Sequence, residues 1–155
     1  MISLKHVSKY ICSLILLFSP IGVRSQIAEL DSILSRLEFK TDTVKAIFDF
    51  VASEIEYDTE SSELVKPPGR FNHSTEAIVL KTLRSKKGVC EHYAELFNAL
   101  LKRAGYESYV VAGYVKGSSK INDKISHAWN AVRVKNEWYL YDPTWSSGRT
   151  CLKPL

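Results

Sequence analysis

The sequence predicts an α+β domain with its helices packed on an antiparallel sheet. Apolar residues recur at three- and four-residue spacing as far as Ala104, the pattern of amphipathic helices. From Tyr106 the period becomes two, and the runs fill with β-branched and aromatic residues. Helices therefore come first and strands follow, an order that suits helices laid on one face of a sheet. No internal repeat and no low-complexity segment interrupts this plan.

The first 25 residues read as a targeting segment. Lys5, His6 and Lys9 form a basic start, Ile11 to Phe18 a short apolar core, and Pro20 and Gly22 a helix break. Val23-Arg24-Ser25 then offers small residues at the two positions a signal peptidase reads, so cleavage is expected after Ser25. The apolar run is well short of the ~20 residues that span a bilayer, which favours a cleaved signal over a membrane anchor. No lipobox surrounds Cys12. The expected location is secreted, periplasmic or cell-envelope, with no stable membrane anchor after cleavage. Cleavage takes Lys5, Lys9 and Arg24 from the 21 basic residues and none of the 17 acidic ones, leaving 18 against 17. That near balance argues for no nucleic-acid partner. Residues 26–155 are enough for one domain with its own core.

Four helices are expected. Ile27, Leu30, Ile33, Leu34 and Leu37 mark the first. Val44, Ile47, Phe48, Val51, Ala52 and Ile55 mark the second, with Thr41 or Asp42 as N-cap and Tyr57-Asp58 as its close. Residues 58–72, with Ser61-Ser62, Pro67-Pro68 and Gly69, read as a polar loop. Ser74 caps a short third helix whose buried face is expected to be Ala77, Leu80 and Leu83, ending in Ser85-Lys86-Lys87-Gly88. The fourth runs from Cys90 to Ala104 with Gly105 as its stop; Tyr93, Ala94, Phe97, Leu100, Leu101 and Ala104 form its stripe. Cys90 lies one turn before this stripe and in line with it. Three strands follow, Tyr109–Val115, Ala128–Val134 and Trp138–Tyr141, the first two separated by a loop at Gly117-Ser118-Ser119-Lys120.

The candidate site is Cys90, His127 and Asp142. A free thiol with its reference pKa of about 8.5 is only a few per cent thiolate at neutral pH. A helix N-terminus favours the anion through its unpaired N–H groups and dipole, and a neighbouring imidazole can take the proton. Gly88 is expected to let the chain turn into the helix and to leave room above the sulfur for a substrate backbone. The Cys90 N–H is the natural oxyanion donor. His127 would act as base and then acid, and Asp142 would either orient its ring or simply cap a turn through Pro143. Gly88, Tyr93, Trp129 and Trp145 are the candidate residues of a substrate cleft, while Glu91, His92 and Glu95 are expected in solvent, with His92 a second and less favoured candidate base.

Strand register tests the set. Pairing Trp138 with Lys135 across a two-residue turn would put Asp142 opposite Ala131, four residues from His127 and out of reach at ~3.4 Å per residue. Pairing Trp138 with Arg133 puts Asp142 diagonally beside His127. The set therefore requires a four-residue loop, or a bulge, at Val134-Lys135-Asn136-Glu137.

Each residue alone has a plainer role: an inert buried thiol, a histidine at a strand end, an aspartate starting a turn. Cys90 and Cys151 remain after cleavage, too few for a disulfide scaffold, but a bridge between them would remove the nucleophile. The joint pattern favours chemistry. Gly88-Val89-Cys90, Ala104-Gly105-Tyr106, Gly113-Tyr114, His127-Ala128-Trp129-Asn130 and Trp138-Tyr139-Leu140-Tyr141-Asp142-Pro143-Thr144-Trp145 appear in order, and with them the chain resembles the transglutaminase-like superfamily. Among its branches, that of kyphoscoliosis peptidase is the most similar.

That resemblance implies a core shared with papain-like cysteine peptidases and a Cys90, His127, Asp142 triad with no metal or cofactor. It also implies a domain cut short where relatives continue with further strand. The function expected is thiol-dependent acyl transfer from protein or peptide amides, as a cysteine peptidase or amidase. The alternative is a non-catalytic module that binds a peptide in the same cleft.

Overall fold

The computed structural model describes residues 21–37, 42–60, 74–114 and 126–147. Residues 61–72 of the expected loop at 58–72, the expected loop at 117–120, the basic and apolar parts of the targeting segment, Cys12 and Cys151 lie outside them.

Helix α1 (Ile21–Arg36) buries Leu30 and Ile33 as its spacing predicts. It starts earlier than expected, because Gly22 lies inside it and Pro20 immediately precedes it. A proline just before or at a helix start costs nothing, since the first N–H groups have no intrahelical acceptor. Cleavage after Ser25 would still leave Gln26–Arg36 as a helix carrying both buried side chains. Helix α2 (Thr43–Glu54) is capped by Asp42, whose carboxylate accepts from Lys45 N at 3.1 Å. It buries Val44, Ile47, Phe48 and Val51.

Helix α3 (Thr75–Ser85) is capped by Ser74, as expected. Its buried face differs from expectation. Ile78, Val79, Thr82 and Leu83 turn inward and Ala77 is exposed. The Thr82 hydroxyl is satisfied by the Ile78 carbonyl at 2.7 Å, which lets a polar residue sit on the apolar face. The helix stops at Lys86 in the left-handed region (φ 54°). A two-residue parallel bridge that the sequence does not announce follows: β1 (Glu56–Tyr57) pairs with β2 (Lys87–Gly88). It ties the end of α2 to the chain just before Cys90.

Helix α4 (Cys90–Arg103) is the centre of the molecule. Tyr93, Leu96, Phe97, Leu100 and Leu101 are wholly buried, each side chain worth about 1.5–3 kcal/mol in burial. Phe48, Phe97 and Tyr141 meet with ring centroids 5.8–5.9 Å apart, joining α2, α4 and the sheet. Gly105 (φ 89°) ends α4 in a Schellman motif, with Gly105 N donating to Lys102 O and Tyr106 N to Leu101 O.

Three antiparallel strands complete the fold in the order β3 (Ser108–Gly113), β4 (His127–Val134), β5 (Glu137–Tyr141). The Ser108 hydroxyl donates to Asn98, and Asn130 donates through Nδ2 to Ala94 O, so two buried polar side chains fasten the sheet to α4. Trp138 pairs with Arg133, the register the candidate site needs, but without the long loop. Val134 pairs with Glu137, and the turn is just Lys135-Asn136 with φ of 50° and 70°. Positive φ at both central residues is what a tight type I′ turn demands, and asparagine tolerates it. The dichotomy between turn lengths was false, because a two-residue turn set one residue earlier gives the same register.

Candidate active site

Helix α4 begins at Cys90, so the Cys90 N–H lies among the groups that have no acceptor within the helix. Val89 is the N-cap and has no side-chain acceptor. His92 supplies the cap instead, its Nδ1 accepting from Val89 N at 3.4 Å. The His92 side chain also explains Gly88. A Cβ on Gly88 would sit 2.4 Å from the His92 Cβ. Gly88 is buried, and the missing side chain makes room for His92. Tyr93 is wholly buried, and its hydroxyl donates to Ile55 O at 2.6 Å, fixing α4 to the end of α2.

Cys90 is a free thiol, 7% exposed, packed against Ala94 and Ala128. Those two small residues let the helix start approach β4 closely. His127, the first residue of β4, is also 7% exposed. Its Nε2 lies 2.6 Å from Asp142 Oδ2, and Cys90 is near enough to the ring to act on its protonation. With Nε2 taken by Asp142, Nδ1 is left to face the sulfur. Burial alone would push the imidazole pKa down. The hydrogen bonds and charges of Asp142 and Cys90 outweigh it and raise His127 to about 9. At neutral pH the ring therefore carries a proton that it can release toward a leaving group.

The ladder of β4 and β5 ends at Asn130–Tyr141. Beyond it the chain curls into a single turn, α5 (Pro143–Ser146), with Asp142 as N-cap and Pro143 at its first position. Asp142 Oδ1 accepts from Thr144 N at 3.1 Å and from Trp145 N at 3.2 Å, while Oδ2 holds His127. Orienting the ring and capping the turn are thus not alternatives, since one carboxylate does both with separate oxygens. Trp145 stacks on the His127 ring, centroids 5.0 Å apart and planes 23° apart, although 58% of it faces solvent. Trp129, half-buried, lies 6.0 Å from the same ring and against Gly113, where a Cβ would come within 2.3 Å of it. Of the expected cleft residues, Trp129 and Trp145 stand beside the His127 ring, Gly88 is buried against His92, and Tyr93 is wholly buried in the core.

Glu91 was misread as solvated. It is 9% exposed and its Oε2 finds no partner among the described residues. Burial, with a smaller contribution from Glu95, raises its pKa to about 7. Glu95 is half-buried and raised too, by burial first and by Glu76, with Lys102 opposing. Glu91 and Asn98 are seven residues apart and share a flank of α4, and Asn98 is buried against Ser108.

The fold and order of residues have parallels in known proteins. Residues 30–143 match the transglutaminase-like superfamily core. The chain is 33% identical over 136 residues to kyphoscoliosis peptidase of Mus musculus and 32% identical to that of Homo sapiens. Each comparison covers 84% of this chain and 20% of the relative, so the chain spans about a fifth of these proteins' length. Among solved structures, the periplasmic domain of TgpA from Pseudomonas aeruginosa superposes with a TM-score of 0.56 at 25% identity, over 83% of this chain and 45% of that one. An arylamine N-acetyltransferase from Bacillus cereus, described as having a Cys-His-Glu catalytic triad, superposes with a TM-score of 0.59 at 18% identity, over 80% of this chain and 50% of that one. The domain match and the curated relatives agree with the fold built above, and the chain belongs to the transglutaminase-like superfamily.

Proposed function

We propose that this protein is an exported thiol enzyme that transfers the acyl group of a protein or peptide amide, to water in the simplest case. The observation that carries the proposal is the buried His127 ring, fixed to the Asp142 carboxylate at 2.6 Å and raised in pKa by that carboxylate and by the buried Cys90 beside it. In the resting pair the thiol proton of Cys90 is already on His127, and the Cys90 thiolate attacks the amide carbonyl. The oxyanion forms beside the Cys90 N–H at the start of α4, where the helix dipole favours negative charge. His127 then passes its proton to the leaving amine, and a thioester to Cys90 remains. Water, deprotonated by His127, releases the carboxylic acid and restores the thiol. Asp142 keeps the ring in register and favours its protonated form. Export through residues 1–25 belongs to the same proposal, with support from the periplasmic relative, and no described helix is long and apolar enough to cross a membrane.

The test is the rate of alkylation of Cys90 by iodoacetamide at pH 6, where an ordinary thiol reacts slowly. Cys90 is expected to react at least tenfold faster than glutathione, and Cys90→Ala to lose all turnover of an amide substrate. A rate no faster than that of the model thiol sinks the enzyme reading.

A further inference from the structure

The two faces of the β3–β4–β5 sheet differ in what covers them. Alternation puts Ala128, Asn130 and Val132 of β4 on the side of α4, together with Ser108 and Val110 of β3. His127, Trp129, Ala131 and Arg133 therefore point to the other side. The register adds Tyr109 of β3 opposite Ala131, and Leu140 and Trp138 of β5 opposite Ala131 and Arg133. Tyr109 is 53% exposed, Trp138 50% and Leu140 56%. Tyr109 and Trp138 touch across β4 with centroids 5.8 Å apart. The charges at this face are Arg133, paired with Glu107 at 3.0 Å, and Lys102, whose ammonium lies 5.8 Å from the centre of the Tyr109 ring. Among the described elements, α4 is the helix that packs on the sheet, and it packs on the opposite face.

We infer that this aromatic face docks the polypeptide substrate, gripping aromatic and aliphatic side chains of an extended, unfolded segment several residues away from its scissile bond. The inference rests on the enzyme reading above and adds a substrate class to it. Continuity selects this occupant. The row that begins at Arg133 and Ala131 ends at Trp129 and His127, so a chain lying along β4 is led to the His127 ring within about 20 Å. Size argues against a second copy. Half-exposed aromatic side chains supply on the order of 400 Å² here, below the roughly 800 Å² per partner of a stable interface but within the range of functional patches on monomers.

The test uses the full chain with Cys90→Ala, to prevent turnover, and fluorescein-labelled, reduced and carboxymethylated α-lactalbumin as an unfolded probe, read by fluorescence anisotropy. Adding Trp138→Ser and Leu140→Ser should weaken binding at least tenfold. Tyr139→Ser, on the same strand but the other face, should leave it within twofold. Tyr109→Ser serves as a second variant of the docking face, and melting curves check the fold of each. In the chain that keeps Cys90, saturating probe should slow iodoacetamide alkylation of the thiol at least threefold. The inference is overturned if the Cys90→Ala chain fails to bind, if Tyr139→Ser weakens binding as much as the pair does, or if bound probe leaves alkylation unchanged. It is also overturned if sedimentation shows that Trp138 and Leu140 hold a dimer. Slow alkylation without probe would instead sink the enzyme reading, a separate result from loss of binding.

Discussion

The Cys90 half of the site and the His127–Asp142 half are built on different principles. Around Cys90 the fastenings are several and come from different elements: the β1–β2 bridge, the Gly88–His92 contact, the His92 cap, the Tyr93 hydroxyl on Ile55 and the buried apolar stripe of α4. Across from it, one carboxylate holds both the imidazole and the turn that follows, beneath an indole that is more than half exposed. The first half is placed by the fold. The second is placed by Asp142. Damage to the first should therefore appear as lost stability, and damage to the second as altered protonation in a folded protein.

Gly88→Ala should have the largest effect. The new methyl meets the His92 Cβ, which belongs to the helix and cannot swing aside. Overpacking at such a site costs about 1–3 kcal/mol, and a shift of the first turn of α4 would add to it. Urea unfolding should show that loss. A variant as stable as wild type would mean that the start of α4 is looser than its contacts imply.

The comparison also explains what the sequence disclosed. Helix α4, its glycine stop and the three strands were legible because each has a local cause: a period, a turn chemistry or a cap. The trio Cys90, His127 and Asp142 was legible because each opens or closes such an element. Tyr93 was not, because its stripe position fits a core residue and a cleft wall equally well, and its partner, Ile55, lies 38 residues away. Gly88 misled for a similar reason. A glycine before a helix suggests a turn, whereas its constraint comes from a side chain four residues later. The parallel bridge and the buried flank of Glu91 depend on contacts between distant segments, and no local pattern encodes them.

Asp142→Ala should come next, with a stability loss of about 1–2 kcal/mol from the missing cap. Without the carboxylate, burial should bring the His127 pKa from about 9 to its usual value near 6.5 or below. The sign of the pH effect follows. Stability from the raised His127 is fully present below about 6.5 and is lost as pH rises through about 9, so the variant's deficit should shrink above that range. Asp142→Asn separates the two roles, since an amide has one acceptor oxygen. If that oxygen keeps Thr144 N and Trp145 N, the melting temperature stays near wild type while His127 titrates as in the alanine variant. Proton NMR of the His127 ring would read this directly. A pKa still near 9 in Asp142→Asn would show that the carboxylate charge is not what holds the imidazolium.

The smallest effect is expected at Glu91, and it should depend wholly on pH. Its carboxyl is raised from 4.5 to about 7 by burial and by Glu95. A carboxyl with a raised folded pKa destabilises the fold as it ionises, so its cost is absent below about 4.5 and complete above about 7. Glu91→Gln removes the charge and keeps the shape. At pH 5 the variant and wild type should unfold at nearly the same urea concentration. At pH 8 the variant should be the more stable, by about 1 kcal/mol, since an orphaned buried carboxylate is the costlier group to leave without a partner. If the two unfold alike at both values, Glu91 is solvated after all, and the flank beside Cys90 is wet. If instead the variant is weaker at pH 8, the carboxylate has a favourable partner, and the start of α4 is less self-sufficient than the contrast between the two halves requires.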